Sequence, residues 1–275
     1  MAEDVRNSLV ICAPTFFHSC SEPRFEASLA TLAAARKRGY RFVLVDGSPG
    51  DGVADVLSKA GATVVREEAR GKANALRQAL RVAGERFPSA EVFAFQELEK
   101  ADFVRFYECI VPGLLRRLDG ERGRWDMCNP ARSESSWLTY PTEQVLEERF
   151  QNQLMHLNAR RYGFPASLDW SFGPFLFRRE HLEAWLTYPG QSYDSQWGPM
   201  VQAFKADAST NIGVAVVDYV HSPFMKAEEE GQWEHAKRRL KQLQDCIATN
   251  EDVWANAHVR ERSRSPKKPQ SPFAA

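Results

Sequence analysis

The chain has no excess of charge, no long apolar run, no closely paired cysteines and no glycine-rich loop after its first strand, and each absence removes a class of protein. Lys and Arg number 36 and Asp and Glu number 36, so no net field argues for nucleic acid. No apolar stretch approaches the roughly 20 residues that span a bilayer, so no transmembrane segment is expected. Residues 1–7 are acidic and polar rather than basic and then apolar, as a secretory leader would be, and the expected home is cytoplasmic. Five cysteines, Cys12, Cys20, Cys109, Cys128 and Cys246, lie far apart with no CxxC pair, which excludes a disulfide framework and a cysteine zinc site. They read as reduced thiols, mostly in the core.

What remains is an ordinary globular composition, 43% hydrophobic and 26% charged over 275 residues, enough to bury one large α/β core. Apolar runs at residues 8–13, 41–46, 62–66 and 92–95 alternate with amphipathic stretches opened at Pro23, Val53 and Gly71. Connections of three to six residues between such runs imply right-handed βαβ units and a mostly parallel, Rossmann-like sheet flanked by helices. The second half is more aromatic and less regular. It offers strands at residues 125–128 and 213–219, an irregular strand or loop at 169–177, and helices at 141–161, 179–186, 195–205 and 227–249. The expected organisation is a ligand-binding half, residues 1–125, and a second half of the same domain, 126–258, with a surface turn at 119–124. Residues 259–275 read as a disordered basic tail.

In an open α/β sheet, ligands bind beyond the carboxyl ends of the strands. The apolar run 92–95 ends abruptly in Glu97, Glu99 and Asp102. Alternation at period two puts Glu97 and Glu99 on one side, able to share a divalent cation. The alternative is that Asp102 caps the following helix and the two glutamates are its solvated approach. Three more clusters fall at strand ends: Pro14-Thr15, Asp46-Gly47-Ser48 and Arg70-Gly71-Lys72. A carboxylate suits ribose hydroxyls or a base N–H, and a lysine at a helix start suits phosphate.

The order and spacing of these clusters over residues 8–115 resembles the nucleotide-sugar-binding half of GT-A-fold glycosyltransferases, notably the dolichol-phosphate-sugar synthase-like (family 2-like) ones. That resemblance implies an enzyme, a hexosyltransferase-like transferase, moving a sugar from a nucleotide diphosphate-sugar donor to an acceptor that the sequence does not identify. It implies that Pro14, Thr15 and Asp46 contact base and ribose, and that Lys72 lies near the diphosphate. The family's Asp-x-Asp binds Mn²⁺ or Mg²⁺; here Glu97-Leu98-Glu99 stands in its place. Lys100, beside it, would add positive charge against the departing diphosphate. Residues 170–179 resemble the family's acceptor-side segment. Asp194 matches the acidic residue before a helix that serves as catalytic base, with Asp169 as the other candidate. His221 stands where several relatives place a histidine metal ligand. Trp137, Tyr140, Trp170, Tyr193 and Trp197 suit stacking on sugars or packing in the core. Two competitors remain: a sugar-phosphate nucleotidyltransferase, whose glycine-rich loop is missing from residues 13–17, and a catalytically inactive nucleotide-sugar-binding protein that kept the fold.

Overall fold

The computed structural model describes residues 2–50, 52–115, 124–164 and 167–256. The strands are β1 (Leu9–Thr15), β2 (Arg41–Asp46), β3 (Thr63–Arg66), β4 (Val92–Phe95), β5 (Met127–Arg132), β6 (Phe175–Arg178) and β7 (Ile212–Val217). The helices of the first half are α1 (Ala2–Ser8), α2 (Pro23–Arg38), α3 (Gly52–Lys59), α4 (Lys72–Arg86) and α5 (Tyr107–Ile110). Those of the second are α6 (Glu134–Trp137), α7 (Thr142–Arg161), α8 (Leu182–Leu186), α9 (Asp194–Ala206), α10 (Pro223–Glu229) and α11 (Trp233–Asn256).

The strands form one seven-stranded sheet in the order β3-β2-β1-β4-β6-β5-β7. β3, β2, β1 and β4 are parallel, β6 runs antiparallel to β4 and β5, and β7 is parallel to β5. The pairing of β4 with β6 carries the sheet across the two expected halves. Successive residues of β1 enter opposite cores: Leu9, Ile11 and Ala13 pack with Phe25, Leu32 and Leu44, while Val10 and Cys12 pack with Leu76, Leu80 and Phe93. Because both faces are covered, these strands are apolar at nearly every position rather than alternating.

The four strands of the first half and the helices α2, α3 and α4 fall where the sequence places them, whereas α1 was not expected, and Gly39 ends α2 in the left-handed conformation, φ 74°. Three differences have physical reasons. Asp102 is not the cap of the next helix: Lys100 holds that position, the first turns are 3₁₀, and Asp102 pairs instead with Arg105 at 3.0 Å. The closing helix is two helices, because Gly231 at φ 74° breaks the chain between α10 and α11. The strand expected at 125–128 runs on to Arg132 as β5, where Pro130 and Arg132 made the sequence look like loop. Residues 119–123 of the expected turn and the tail 259–275 lie outside the described residues. No helix among the described residues is long and apolar enough to cross a membrane.

Candidate active site at the carboxyl edge of the sheet

Strand register fixes which residues meet at the carboxyl edge. Thr15 is level with Asp46, and Asp46 with Arg66. Asp46 is 1% exposed and fully bonded: Oδ1 accepts from Thr15 Oγ1 (3.2 Å), Ser48 N (3.2 Å) and Ser48 Oγ (2.5 Å), and Oδ2 from Arg66 (2.9 Å). Ser48 Oγ in turn accepts from Phe17 N at 2.9 Å, which ties the loop after β1 to the loop after β2. Asp46 is therefore the buttress of this edge, and Pro14, Thr15 and Gly47 present its surface to a cavity of about 730 Å³.

The other wall of that cavity is the start of α4. Gly71, at φ 115°, offers no side-chain cap to the first N–H groups of α4, and Gly71, Lys72 and Ala75 line the cavity. Glu67 accepts from Gly71 N at 3.0 Å and fixes this turn. Lys72 Nζ lies over the rings of Phe95 (5.5 Å) and Tyr193 (5.3 Å) and 3.6 Å from Glu97.

The segment after β4 is held from below. Gln96 is fully buried, accepts from Tyr107 Oη (2.9 Å) and donates to Lys100 O (2.9 Å), and Thr31 Oγ1 donates to Leu98 O. This projects Glu97 and Glu99 into two adjoining cavities, the first one and a second of about 640 Å³. Glu97 lies between Lys72 and Lys100, the latter at 3.2 Å. Burial alone would push its carboxyl up, but Lys100 and Lys72 outweigh burial and hold it below the usual range. Burial likewise opposes the charge of Lys100, and Glu97 reverses that, so its ammonium is held well above the ordinary lysine value. Gly173, at φ 101°, permits this arrangement, since a Cβ there would meet Glu97 Oε2 at 2.5 Å. Glu99 pairs with Arg24 at 3.2 Å.

His221 lines the second cavity, stacked on Tyr140 at 4.4 Å with its Nε2 3.6 Å from Glu229. Burial pushes its imidazole down toward the neutral form. Glu97, Glu99 and His221 thus share one cavity, and two carboxylates with a neutral imidazole are in kind a donor set for Mn²⁺ or Mg²⁺. They are not preassembled. Among the described residues, three such donors come within 4.8 Å of one another at Asp126, Glu180 and His181, which sit at the opposite edge of the sheet.

The two expected bases are not brought to either cavity. Asp169 is 4% exposed and clamped by Arg132, which donates from Nε (2.7 Å), Nη2 (2.8 Å) and its backbone N (3.2 Å), and Asn152 adds a fourth bond at 2.9 Å. Burial would raise its carboxyl, but Arg132 outweighs burial and holds it below the usual range. Asp194 accepts from Tyr188 Oη (2.7 Å) and Ser192 N (3.1 Å) at the start of α9, leaving its neighbour Tyr193 to line the second cavity. Trp137, Tyr140, Trp170 and Trp197 are core residues, between 2% and 7% exposed. Several residues on the cavity walls carried no recognisable pattern in sequence: Glu67, Arg24, Glu148, Glu229 and His235. Arg70 alone had a signal, its place beside Gly71-Lys72.

No protein-family model and no curated protein matches the sequence. Solved structures do match the fold. The crystal structure of M. tuberculosis glucosyl-3-phosphoglycerate synthase aligns with a TM-score of 0.60 at 15% identity, covering 92% of this chain and 85% of that one. The same synthase in complex with Mn²⁺, uridine diphosphate and phosphoglyceric acid gives 0.52 at 15% identity over 90% of this chain and 82% of that one. A structure described as a mycobacterial protein gives 0.57 at 14% identity, over 90% and 79%. The chain therefore has the fold of these proteins.

Proposed function

We propose that the chain is a glycosyltransferase that takes a sugar from a nucleotide diphosphate-sugar and delivers it to an acceptor in the second cavity. The observation that carries this reading is the shared wall. Arg24, Lys72, Glu97 and Glu99 line both cavities, so a diphosphate held in one presents its sugar to the other. The fold supports it, since neighbours of the same fold were crystallised with uridine diphosphate and Mn²⁺ or Mg²⁺.

The nucleoside half of the donor occupies the cavity over Pro14 and Thr15, with Asp46 acting from beneath through Thr15 and Ser48. Lys72 and the uncapped N–H groups of α4 take the diphosphate. Glu97, Glu99 and His221 would hold a divalent cation, which neutralises the charge that builds on the departing diphosphate. Lys100 places a second, fixed positive charge at Glu97 and keeps the excess of acid at this corner from repelling the donor. Asp169 and Asp194 act as positioning residues, one through Arg132 and the other through Tyr193. A second reading has an observation of its own: Glu97 is already neutralised by two lysines, as in a protein that binds nucleotide sugars without transferring them.

A panel of nucleotide diphosphate-sugars tested for thermal stabilisation, with and without Mn²⁺, decides between them. A ligand present at about 100 times its Kd and bound only by the folded state adds about 2.7 kcal/mol. Stabilisation by one donor, greater with Mn²⁺ and followed by slow release of nucleotide diphosphate, supports the transferase. Stabilisation with no release under any acceptor supports the binding protein, and no stabilisation refutes both.

A further inference from the structure

At the nucleoside end of the first cavity, the acid that can meet a base is not the one the sequence points to. Asp46 is 1% exposed and already accepts from Thr15, Ser48 and Arg66, so no base N–H reaches it. Glu67, the residue after β3, is part-exposed and lines this cavity. Two bonds fix it: its backbone N donates to Asp46 O at 3.0 Å, and its Oε1 accepts from Gly71 N at 3.0 Å. Its Oε2 accepts from no described residue. Gly47 makes room for that oxygen, since a Cβ there would meet it at 2.7 Å. Gly47 N in turn donates to Thr15 O at 2.9 Å, so Oε2 sits where the loops after β1 and β2 meet.

A carboxylate fixed in this way discriminates among bases. It accepts hydrogen bonds and donates none, and each oxygen has two lone pairs, so Oε1 keeps an acceptor site beside its bond to Gly71. Guanine offers a matching pair of adjacent donors, N1–H and the N2 amino group. Uracil offers one, N3–H, between two carbonyl oxygens that the carboxylate repels, and adenine presents a lone pair at N1. Beyond its N1, guanine carries the acceptors O6 and N7, which an arginine matches. Arg70 on the same wall is exposed, and its guanidinium is engaged by no described residue. A site built on hydrogen bonds to a base rejects the analogue that lacks them, because its own polar groups are then left unpaired.

We propose that Glu67 selects guanine, taking N1–H and the N2 amino group on its carboxylate, and that the donor is a guanosine diphosphate-sugar. Uridine diphosphate binds more weakly, through the diphosphate it shares. This rests on the nucleotide-sugar reading of the cavity and departs from the neighbours crystallised with uridine diphosphate.

The test is calorimetric titration of the full chain, with Mn²⁺ present, by guanosine, inosine and uridine diphosphate. Inosine keeps N1–H and O6 and lacks only the N2 amino group. Guanosine diphosphate should bind at least about tenfold more tightly than either of the others, the loss of one hydrogen bond to a charged group. Glu67→Gln keeps the volume and an acceptor for Gly71 N but turns an NH₂ toward the base donors. It should weaken guanosine diphosphate by about tenfold and uridine diphosphate by no more than about threefold, whereas a merely structural role for Glu67 would move both together. Gly47→Ala, whose Cβ pushes Oε2 aside, should narrow the same ratio with the glutamate itself unaltered. The inference is overturned if uridine or inosine diphosphate binds the parent as tightly as guanosine diphosphate, or if Glu67→Gln keeps the preference. In each of those cases the parent still binds a nucleoside diphosphate and the donor reading stands. If none of the three binds, the donor reading falls and the selection of guanine falls with it.

Discussion

Asp169→Asn separates a catalytic carboxylate from a structural one. In the fold, Asp169 accepts three hydrogen bonds from Arg132 and one from Asn152, at 2.7 to 3.2 Å, and both Asp169 and Arg132 are nearly excluded from water. Asparagine keeps the volume and one acceptor oxygen, but it turns an NH₂ toward a guanidinium or toward Asn152 and leaves a buried cation short of its counter-charge. Breaking one side of a buried pair costs roughly 3–5 kcal/mol. The lower end applies here, about 3 kcal/mol, because Glu148 still pairs with Arg132 at 2.5 Å. For a domain of this size that is a fall in Tm of roughly 6–12 °C. Calorimetry and urea unfolding of the variant should both show it. Asp169→Leu combined with Arg132→Met should cost less than Arg132→Met alone, which strands the buried carboxylates of both Asp169 and Glu148. If Asp169→Asn has the parental Tm and loses only sugar transfer, Asp169 is the base and the structural account of it is refuted.

Three further outcomes follow from the same geometry. Gly173→Ala, which must bear φ 101° and push on Glu97 Oε2, should cost about 1–3 kcal/mol and weaken Mn²⁺-dependent nucleotide binding; a variant with parental stability and binding would remove Gly173 from the site. His156, His221 and His235 are each pushed by burial below the ordinary value of 6.5, so the folded state binds fewer protons than the unfolded one there and stability should fall as pH drops below about 6.5. A second loss should begin below about 4.5 as Glu97, Glu229 and Asp169, held low by their cationic partners, are protonated; a flat Tm from pH 7 to 4 would contradict both assignments. Lys72→Met should weaken uridine diphosphate by about 1.5–3 kcal/mol, the worth of a charge-assisted hydrogen bond, and equal affinity by calorimetry would show that the phosphates lie elsewhere.

The first half of the fold was legible because β1, β2 and β4 are buried on both faces and α2 and α4 begin or end at residues with a backbone reason, Pro23, Gly39 and Gly71. The second half was less so. β6 joins the sheet antiparallel after a loop, and β5 contains Pro130 and Arg132, so neither shows a clean strand period. The strand-end clusters Pro14-Thr15, Gly71-Lys72 and Glu97-x-Glu99 were readable as an edge of the sheet, because local sequence sets where strands stop. What local sequence does not set is which way a carboxylate faces. Asp46, Asp169 and Asp194 read as ligand-facing acids, yet Arg66, Arg132 and Tyr188, some 20, 37 and 6 residues away, claim them. The place of His235 on the cavity wall was invisible for the same reason, since it exists only once α11 packs beside the cavity.

The claim that the carboxyl edge of the sheet holds a nucleotide diphosphate is tested most directly by amide hydrogen exchange with and without uridine diphosphate and Mn²⁺. Protection should rise at residues 15–18, 47–48, 71–74 and 97–100. Unchanged exchange at all four, or protection confined to the opposite edge near Ala90, Asp126 and Glu180, would contradict it.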